Sequence, residues 1–201
     1  MIKSLFDVIL SFIMLLIFLP LLLIISIIIF LENGTPILHK RKVHLNEKET
    51  FYFYKFRTMK LNADKILKKL LSENEDLKTE YNKFFKIKND PRITKIGHFL
   101  RKTSLDELPQ ILNVLMMQMS LVGPRPKTPE ELKKYFQKSD YQKLFLVKPG
   151  ITCTWQVSGR SNLSYDERRK LDLDYSQNRN FCLDLRILFM TLLVPFKRNA
   201  Y

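Results

Sequence analysis

The densest chemistry in this sequence lies between residues 100 and 126. There Leu100-Arg101-Lys102-Thr103-Ser104-Leu105-Asp106-Glu107-Leu108-Pro109 is followed by Gly123-Pro124-Arg125-Pro126. Asp106 and Glu107 are adjacent carboxylates with the cations Arg101 and Lys102 just upstream. Such a set could hold a divalent cation together with phosphate groups, which phosphoryl chemistry requires. An aspartate in that setting could also attack phosphorus and form an acyl phosphate. Consecutive side chains on a helix diverge by about 100°, so the two acids need not share one task. A plainer role competes with this. Ser104-x-x-Glu107 has the spacing of a capping box, and acids in a first turn favour the helix dipole. On the residues alone, capping is the commoner outcome. Arg125, stiffened between two prolines, suits recognition of a phosphate or a base, although arginine is also common in surface turns. Gly159-Arg160 and Tyr54-Lys55-Phe56-Arg57 are weaker signals that fit a surface facing anionic lipid. Asp172 and Asp174 fall on a predicted helix, where solvation or a salt bridge is the ordinary fate.

The elements that must position these residues begin with an apolar anchor. From Val8 to Leu31 the sequence carries no charge and is mostly Leu, Ile and Phe. Such a run is long enough to cross about 30 Å of hydrocarbon. It is too long for a secretory signal and lacks a small-residue cleavage site. Pro20 near its middle removes one backbone bond, which membrane helices tolerate. Lys3 precedes the run and His39-Lys40-Arg41-Lys42 follows it, so positive charge on both flanks fits a helix that dips into one leaflet and returns. Glu32-Asn33-Gly34-Thr35-Pro36 ends the anchor, and a hairpin is predicted over residues 37–57. Helices are predicted over about 62–85, 93–102, 104–117 and 165–179, and a strand over 151–157. Thr128-x-x-Glu131 and Ser164-x-x-Glu167 both read as capping boxes. The apolar tail over 183–196 is too short for a second span and reads as a core or surface-lying helix.

The formal net charge of +14 over 201 residues points first to anionic lipid and phosphate-bearing substrates, with nucleic acid as the rival explanation. Cys153 and Cys182 are isolated, so they read as reduced packing residues, and three scattered histidines do not make a zinc site.

These residues together resemble the small monotopic phosphoglycosyl transferases, bacterial sugar transferases that start glycan assembly on undecaprenyl phosphate. The resemblance covers residues 1 to about 196. It rests on the apolar helix, Tyr54-Lys55-Phe56-Arg57-Thr58-Met59, Asp90-Pro91-Arg92-Ile93-Thr94, Ser104-Leu105-Asp106-Glu107-Leu108-Pro109-Gln110 and Asn113-Val114-Leu115. Met119-Ser120-Leu121-Val122-Gly123-Pro124-Arg125-Pro126, Pro149-Gly150-Ile151-Thr152 and Gln156-Val157-x-Gly159-Arg160 complete it. In this order the markers are far more specific than any one alone.

The resemblance implies an α+β, predominantly helical, membrane-associated domain with a short β-hairpin. It implies a re-entrant membrane helix over residues 1–33, broken at Pro20, and a catalytic domain over 34–201 at the cytoplasmic face of the bacterial inner membrane. It implies that Asp106 attacks the β-phosphate of a UDP-sugar, releasing UMP, and that undecaprenyl phosphate then takes the sugar-1-phosphate from the enzyme. Glu107 is implied as its catalytic partner, handling the acceptor's proton or orienting the site. Mg2+ is implied at the diphosphate with Asp106 among its contacts. Lys55, Arg101, Arg125 and Asp172 are implied as substrate-binding residues, Arg125 at the nucleotide. Anionic lipids are implied as neighbours, a homodimer is compatible, and nucleic acid is not called for. The alternative is a membrane-anchored scaffold of the same fold that binds phosphate or lipid without catalysis. The chain departs from the family pattern where glycines are usual, in the turn Val43-His44-Leu45-Asn46-Glu47-Lys48 and at Met117, and Leu19 replaces the usual serine before Pro20.

Overall fold

Leu, Ile and Phe offer no polar side chain to compete for backbone bonds, and the whole N-terminal run is helical. In the computed structural model, which describes residues 2–84, 87, 89–159 and 163–193 (backbone alone at 80 and 82–84), this helix is α1, Ile2–Asn33. It runs about 48 Å at about 1.5 Å per residue. Its helical backbone continues through Pro20, so the expected break there is not an end of the helix. Proline costs one donor, and the helix resumes its bonds on either side. Only 11% of the apolar stretch is buried, which rules out the core helix of a soluble domain.

Both ends of α1 are tied to the rest of the fold. Near the start, Phe6 meets Phe181 edge-on at 5.2 Å, and Lys3 Nζ donates to Asp184 Oδ2 at 2.7 Å. Near the finish, Ile25 and Ile29 pack with Phe56 and Leu100. The Arg57 guanidinium donates to the carbonyls of Asn33 and Gly34 at 2.9 and 2.7 Å, filling acceptors that a helix end leaves open.

The predicted hairpin forms as β1, Leu38–His44, and β2, Thr50–Phe56, antiparallel with Leu38 opposite Phe56 and His44 opposite Thr50. Its turn closes without glycine because Asn46 Oδ1 accepts from the backbone N–H groups of Lys48 and Glu49, both at 2.9 Å. The single helix expected over 62–85 is two, α2 (Ala63–Glu73) and α3 (Glu75–Phe84). Asn74 breaks it, taking an extended backbone and capping the N–H of Leu77 at 3.0 Å. Helix α4, Lys95–Thr103, starts at Thr94, whose hydroxyl accepts from Gly97. The helix expected over 104–117 is a 3-10 helix, Leu105–Gln110, leading into α5, Ile111–Leu115.

Strands β3 (Ser120–Val122) and β4 (Gly150–Thr152) pair in parallel. The strand expected over 151–157 therefore stops at Thr152, where its three-residue partner ends, and Thr154–Ser158 turns into helix α8. Gly123 and Gly150 are required here. A Cβ on Gly150 would lie 2.0 Å from the backbone nitrogen of Gly123, and one on Gly123 would lie 2.4 Å from the Lys148 carbonyl. Both remaining capping boxes form, at Thr128 for α6 (Pro129–Tyr135) and at Ser164 for α9 (Tyr165–Asn178). Helix α7 covers Lys138–Leu144, and α10, Phe181–Leu193, is the short apolar tail helix. The tail expected over 194–196 and Arg160 lie outside the described residues. The main core joins the hairpin (Val43, Phe51, Phe53) to Val114, Met119, Leu121, Val122, Tyr175 and Ile187. The result is the helix-dominated α+β domain with one hairpin that the sequence predicts.

Candidate active site

Ser104 decides how the two acids are presented. It takes a left-handed backbone (φ 59°) and ends α4, its N–H bonding to the Arg101 carbonyl. Its side chain makes no cap bond to the helix that follows, so the capping-box reading of Ser104-x-x-Glu107 does not hold. Released from capping, the Glu107 carboxylate reaches across to β2 and to the Gly-Pro-Arg loop. Lys55 Nζ donates to Glu107 Oε1 in a very short contact, and Arg125 Nη1 lies 3.3 Å from the same oxygen. Lys55 Nζ also stands 3.9 Å from Asp106 Oδ2. Arg101, from the last turn of α4, donates through Nε to Thr58 Oγ1 at 2.9 Å, and its charge acts on Asp106 as well.

Three cations and two carboxylates therefore meet at one place. Asp106 is 9% exposed, and among the described residues its carboxylate accepts no hydrogen bond. Burial pushes its pKa above the ordinary carboxylate value, with Glu107 adding to the rise and Lys55, Arg101 and Arg125 opposing it. Glu107 goes the other way. Burial would raise it, but Lys55 and Arg125 hold it down to about 2. Adjacent acids whose surroundings separate their proton affinities are the usual sign of divided roles. Glu107 is ionised at neutral pH and committed to two cations, whereas among the described residues the Asp106 carboxylate accepts no hydrogen bond.

Behind this front stands a supporting layer. Asn113, fully buried, pairs its side chain with the edge of β2, accepting from Tyr54 N at 3.1 Å and donating to the Tyr52 carbonyl at 2.9 Å. That fixes the strand carrying Lys55. In the Asp90-Pro91-Arg92 marker, Arg92 grips Asp90 through Nε and Nη2 at 2.8 and 2.6 Å, with both residues buried. Its loop bonds back to the Thr58 segment through Lys60 N to the Arg92 carbonyl and Thr94 N to the Thr58 carbonyl. Asp172 is 1% exposed. It pairs with Lys127 Nζ at 2.8 Å and accepts a long bond from the Arg125 backbone N–H at 3.4 Å, so it lies beneath the loop that aims Arg125. The Arg125 guanidinium lies 5.9 Å from the Trp155 ring and Arg168 4.9 Å from it.

The sites named from the sequence thus divide. Asp106, Glu107, Lys55, Arg101 and Arg125 come together, Asp172 supports from below, and Pro20 is in α1. Lys127, Trp155 and Arg168 were not singled out. Lys127 directly follows the Pro-Arg-Pro turn, and Trp155 is the single tryptophan, which are the signals that point to them.

A metal would need help from the substrate. Among the described residues no three Asp, Glu, His or Cys side chains converge. Asp106, which accepts no hydrogen bond among the described residues, can offer oxygen to a hard cation whose other positions are filled by phosphate and water, as Mg2+ prefers.

The family described as bacterial sugar transferase matches residues 1–198. The chain is 43% identical over 198 residues to the undecaprenyl-phosphate galactose phosphotransferase of Salmonella typhimurium, covering 98% of this chain and 41% of that protein. It is 40% identical over 205 residues to the exopolysaccharide production protein ExoY of Rhizobium meliloti, covering 100% of this chain and 88% of that one. It is 34% identical over 200 residues to the UDP-glucose:undecaprenyl-phosphate glucose-1-phosphate transferase of Escherichia coli, covering 96% and 40%. The chain spans about two fifths of the galactose and glucose transferases it matches.

Proposed function

The chain belongs to the bacterial sugar transferase family, and on that premise we propose that it transfers a sugar-1-phosphate from a UDP-sugar to undecaprenyl phosphate. The observation that carries this is the Asp106 carboxylate, buried and, among the described residues, free of hydrogen bonds, beside three cations. A nucleophile must be unencumbered, and the dianionic diphosphate it attacks must be drawn in and neutralised. An Asp106 oxygen attacks the β-phosphorus of the donor. The bond from that phosphorus to the bridging oxygen breaks, and UMP departs with the electron pair. An oxygen of undecaprenyl phosphate then attacks the same phosphorus and releases the Asp106 carboxylate. Lys55, Arg101 and Arg125 bind and neutralise phosphoryl oxygens through both steps. Glu107 orients Lys55 and Arg125; held near pKa 2 it is too weak a base to take the acceptor's proton. Asp172 positions Arg125 through its backbone. Mg2+, with Asp106 and the diphosphate as its ligands, would supply further charge stabilisation.

Family membership and the exposed apolar helix place the protein at the bacterial inner membrane. We propose that residues 1–33 form a re-entrant helix and that 34–201 form the cytoplasmic-face catalytic domain. Support comes from both ends of α1 being held by one folded body, through Lys3 to Asp184 at one end and Arg57 to Asn33 at the other. A straight crossing would put those ends on opposite sides of the bilayer.

The test is UMP release in nanodiscs with undecaprenyl phosphate and Mg2+, over a panel that starts with UDP-galactose and UDP-glucose. The wild type is expected to turn over one donor and Asp106→Asn none, with a phosphosugar adduct on the wild type seen by intact mass when acceptor is omitted. Equal turnover by Asp106→Asn refutes the nucleophile, and donor binding without any turnover favours a non-catalytic scaffold.

A further inference from the structure

A concavity of about 610 Å3 opens between the first turns of α1, the hairpin turn, residues 145–148 and the start of α10. It shares no lining residue with the Asp106 cluster. Its size is that of an ordinary ligand pocket. Its floor is polar and internally paired, with Lys3 2.7 Å from Asp184 and 3.7 Å from Asp7. Its walls are apolar and unusually open for large side chains: Met117 is 55% exposed, Leu146 58% and Phe181 46%. At the rim stand two more cations, half-buried Lys148 and exposed Arg179, and neither makes an ion pair among the described residues.

We propose that this cavity binds an anionic glycerophospholipid, with its phosphate on Lys148 and Arg179 and an acyl chain along Val8, Met117, Leu146 and Phe181. Two features select that occupant. One wall is the membrane helix itself, through Ser4 and Val8, so the mouth lies where the helix enters the bilayer and headgroup phosphates are concentrated. Lys148 and Arg179 make no ion pair among the described residues, and the lining as a whole carries three cations (Lys3, Lys148, Arg179) to two acids (Asp7, Asp184), so an anionic phosphatidylglycerol headgroup fits the rim better than one that carries its own ammonium. An apolar wall continuous with the rim excludes a purely soluble anion as the best fit. The lipid would bridge α1, α10 and the 145–148 segment, adding a fastening at the end of α1 where Lys3 docks. None of this depends on the reaction at Asp106.

Native mass spectrometry of the full chain, released from detergent and titrated with phosphatidylglycerol or phosphatidylcholine, tests it. The wild type is expected to retain one phosphatidylglycerol at least tenfold better than phosphatidylcholine. Lys148→Gln/Arg179→Gln should weaken that adduct at least tenfold, and Val8→Trp, which fills the apolar part and leaves both cations, should do the same. Lys68→Gln/Lys69→Gln, on exposed α2, should retain it, and melting temperatures measured without lipid show that each variant is folded. Equal retention by wild type and the double variant overturns the proposal in favour of diffuse adsorption to a basic surface. So does equal binding of the two lipids. Stoichiometric displacement by a polyprenyl phosphate would make this the acceptor's site instead, and a dimer abolished by the same substitutions would make it an interface between copies.

Discussion

Two carboxylate–lysine clusters in this molecule can be set side by side. Around Lys55 stand Asp106, Glu107, Arg101 and Arg125; around Lys3 stand Asp7, Asp184, Ser120 and Tyr175. In the second cluster both acids are hydrogen-bonded: Ser120 Oγ donates to Asp7 Oδ2 at 2.6 Å, and Tyr175 and Lys3 both donate to Asp184. Acids outnumber the lysine there, and their partners come from α1, β3, α9 and α10, so the cluster is a joint between elements. In the first cluster cations outnumber acids, and among the described residues Asp106 keeps no hydrogen bond. A joint satisfies its own groups, whereas a site leaves one group and some charge unsatisfied for the ligand.

Conservative amides at matched positions are the sharpest way to break that contrast. Asp106→Asn removes a nucleophile but no hydrogen bond, so UMP release should fall by at least about a thousandfold while the melting temperature stays within about 2 °C. Asp184→Asn should do the opposite. It removes the charge facing Lys3 and weakens the acceptor of Tyr175, costing about 2–4 kcal/mol of stability, with turnover per folded molecule retained within about threefold. Turnover is read by coupled UMP detection and stability by thermal unfolding in the same detergent. If Asp184→Asn abolished turnover at unchanged stability, the two clusters would not differ in kind.

The pH dependence sharpens the comparison further. Asp106 must be ionised to attack, and burial raises its pKa, so turnover should fall on acidification through a value above the ordinary carboxylate range. Lys55→Met removes the largest opposing attraction, so the acid limb of kcat/KM should move upward in pH. Glu107 supplies a stability effect of opposite sign. With its folded pKa lowered from 4.5 to about 2, it stabilises the fold above pH 4.5, and that contribution is lost as pH falls toward 2. In Lys55→Met that contribution should be smaller and its loss should still begin near pH 4.5 but be complete at a higher pH, because the depression of Glu107 is weaker. An unmoved acid limb in Lys55→Met would mean that Lys55 does not act on the attacking group.

Much of the first cluster was legible in the sequence and almost none of the second. Asp106, Glu107, Lys55, Arg101 and Arg125 sit in short runs with strong markers, and the hairpin and two of the capping boxes follow from local residue types. Lys3 and Asp184 are 181 positions apart, and neither periodicity nor spacing reports such a meeting. Asp7 lies just ahead of the uncharged run that starts at Val8, and nothing local to it names Ser120 as its partner, although a buried acid in a membrane helix needs one. Asn113, which holds the edge of β2 from 59 positions away, was visible only as part of a motif. The capping-box spacing at Ser104 misled because the left-handed residue ends one helix before the next begins, a backbone state that composition does not specify.

The smallest expected effect concerns Met117, where the chain departs from the family's usual glycine. It takes φ 59°, between α5 and β3, with its N–H bonded to the Val114 carbonyl at 2.8 Å. That left-handed turn ends α5 and lets Gln118 N and Met119 N both reach the Asn113 carbonyl, at 2.9 and 3.2 Å. A side chain there costs about 1–2 kcal/mol of backbone strain, and glycine would return part of that as unfolded-state entropy. Met117→Gly should therefore stabilise the protein by about 0.5–1 kcal/mol, a rise of about 1–4 °C in melting temperature for a chain of this size. Turnover should stay within twofold, because Met117 lines the cavity beside α1, which shares no lining residue with the Asp106 cluster. The methionine is 55% exposed, so little packing is lost with it. A drop in melting temperature would instead show that its side chain contributes more by covering the cavity beside α1 than its backbone costs.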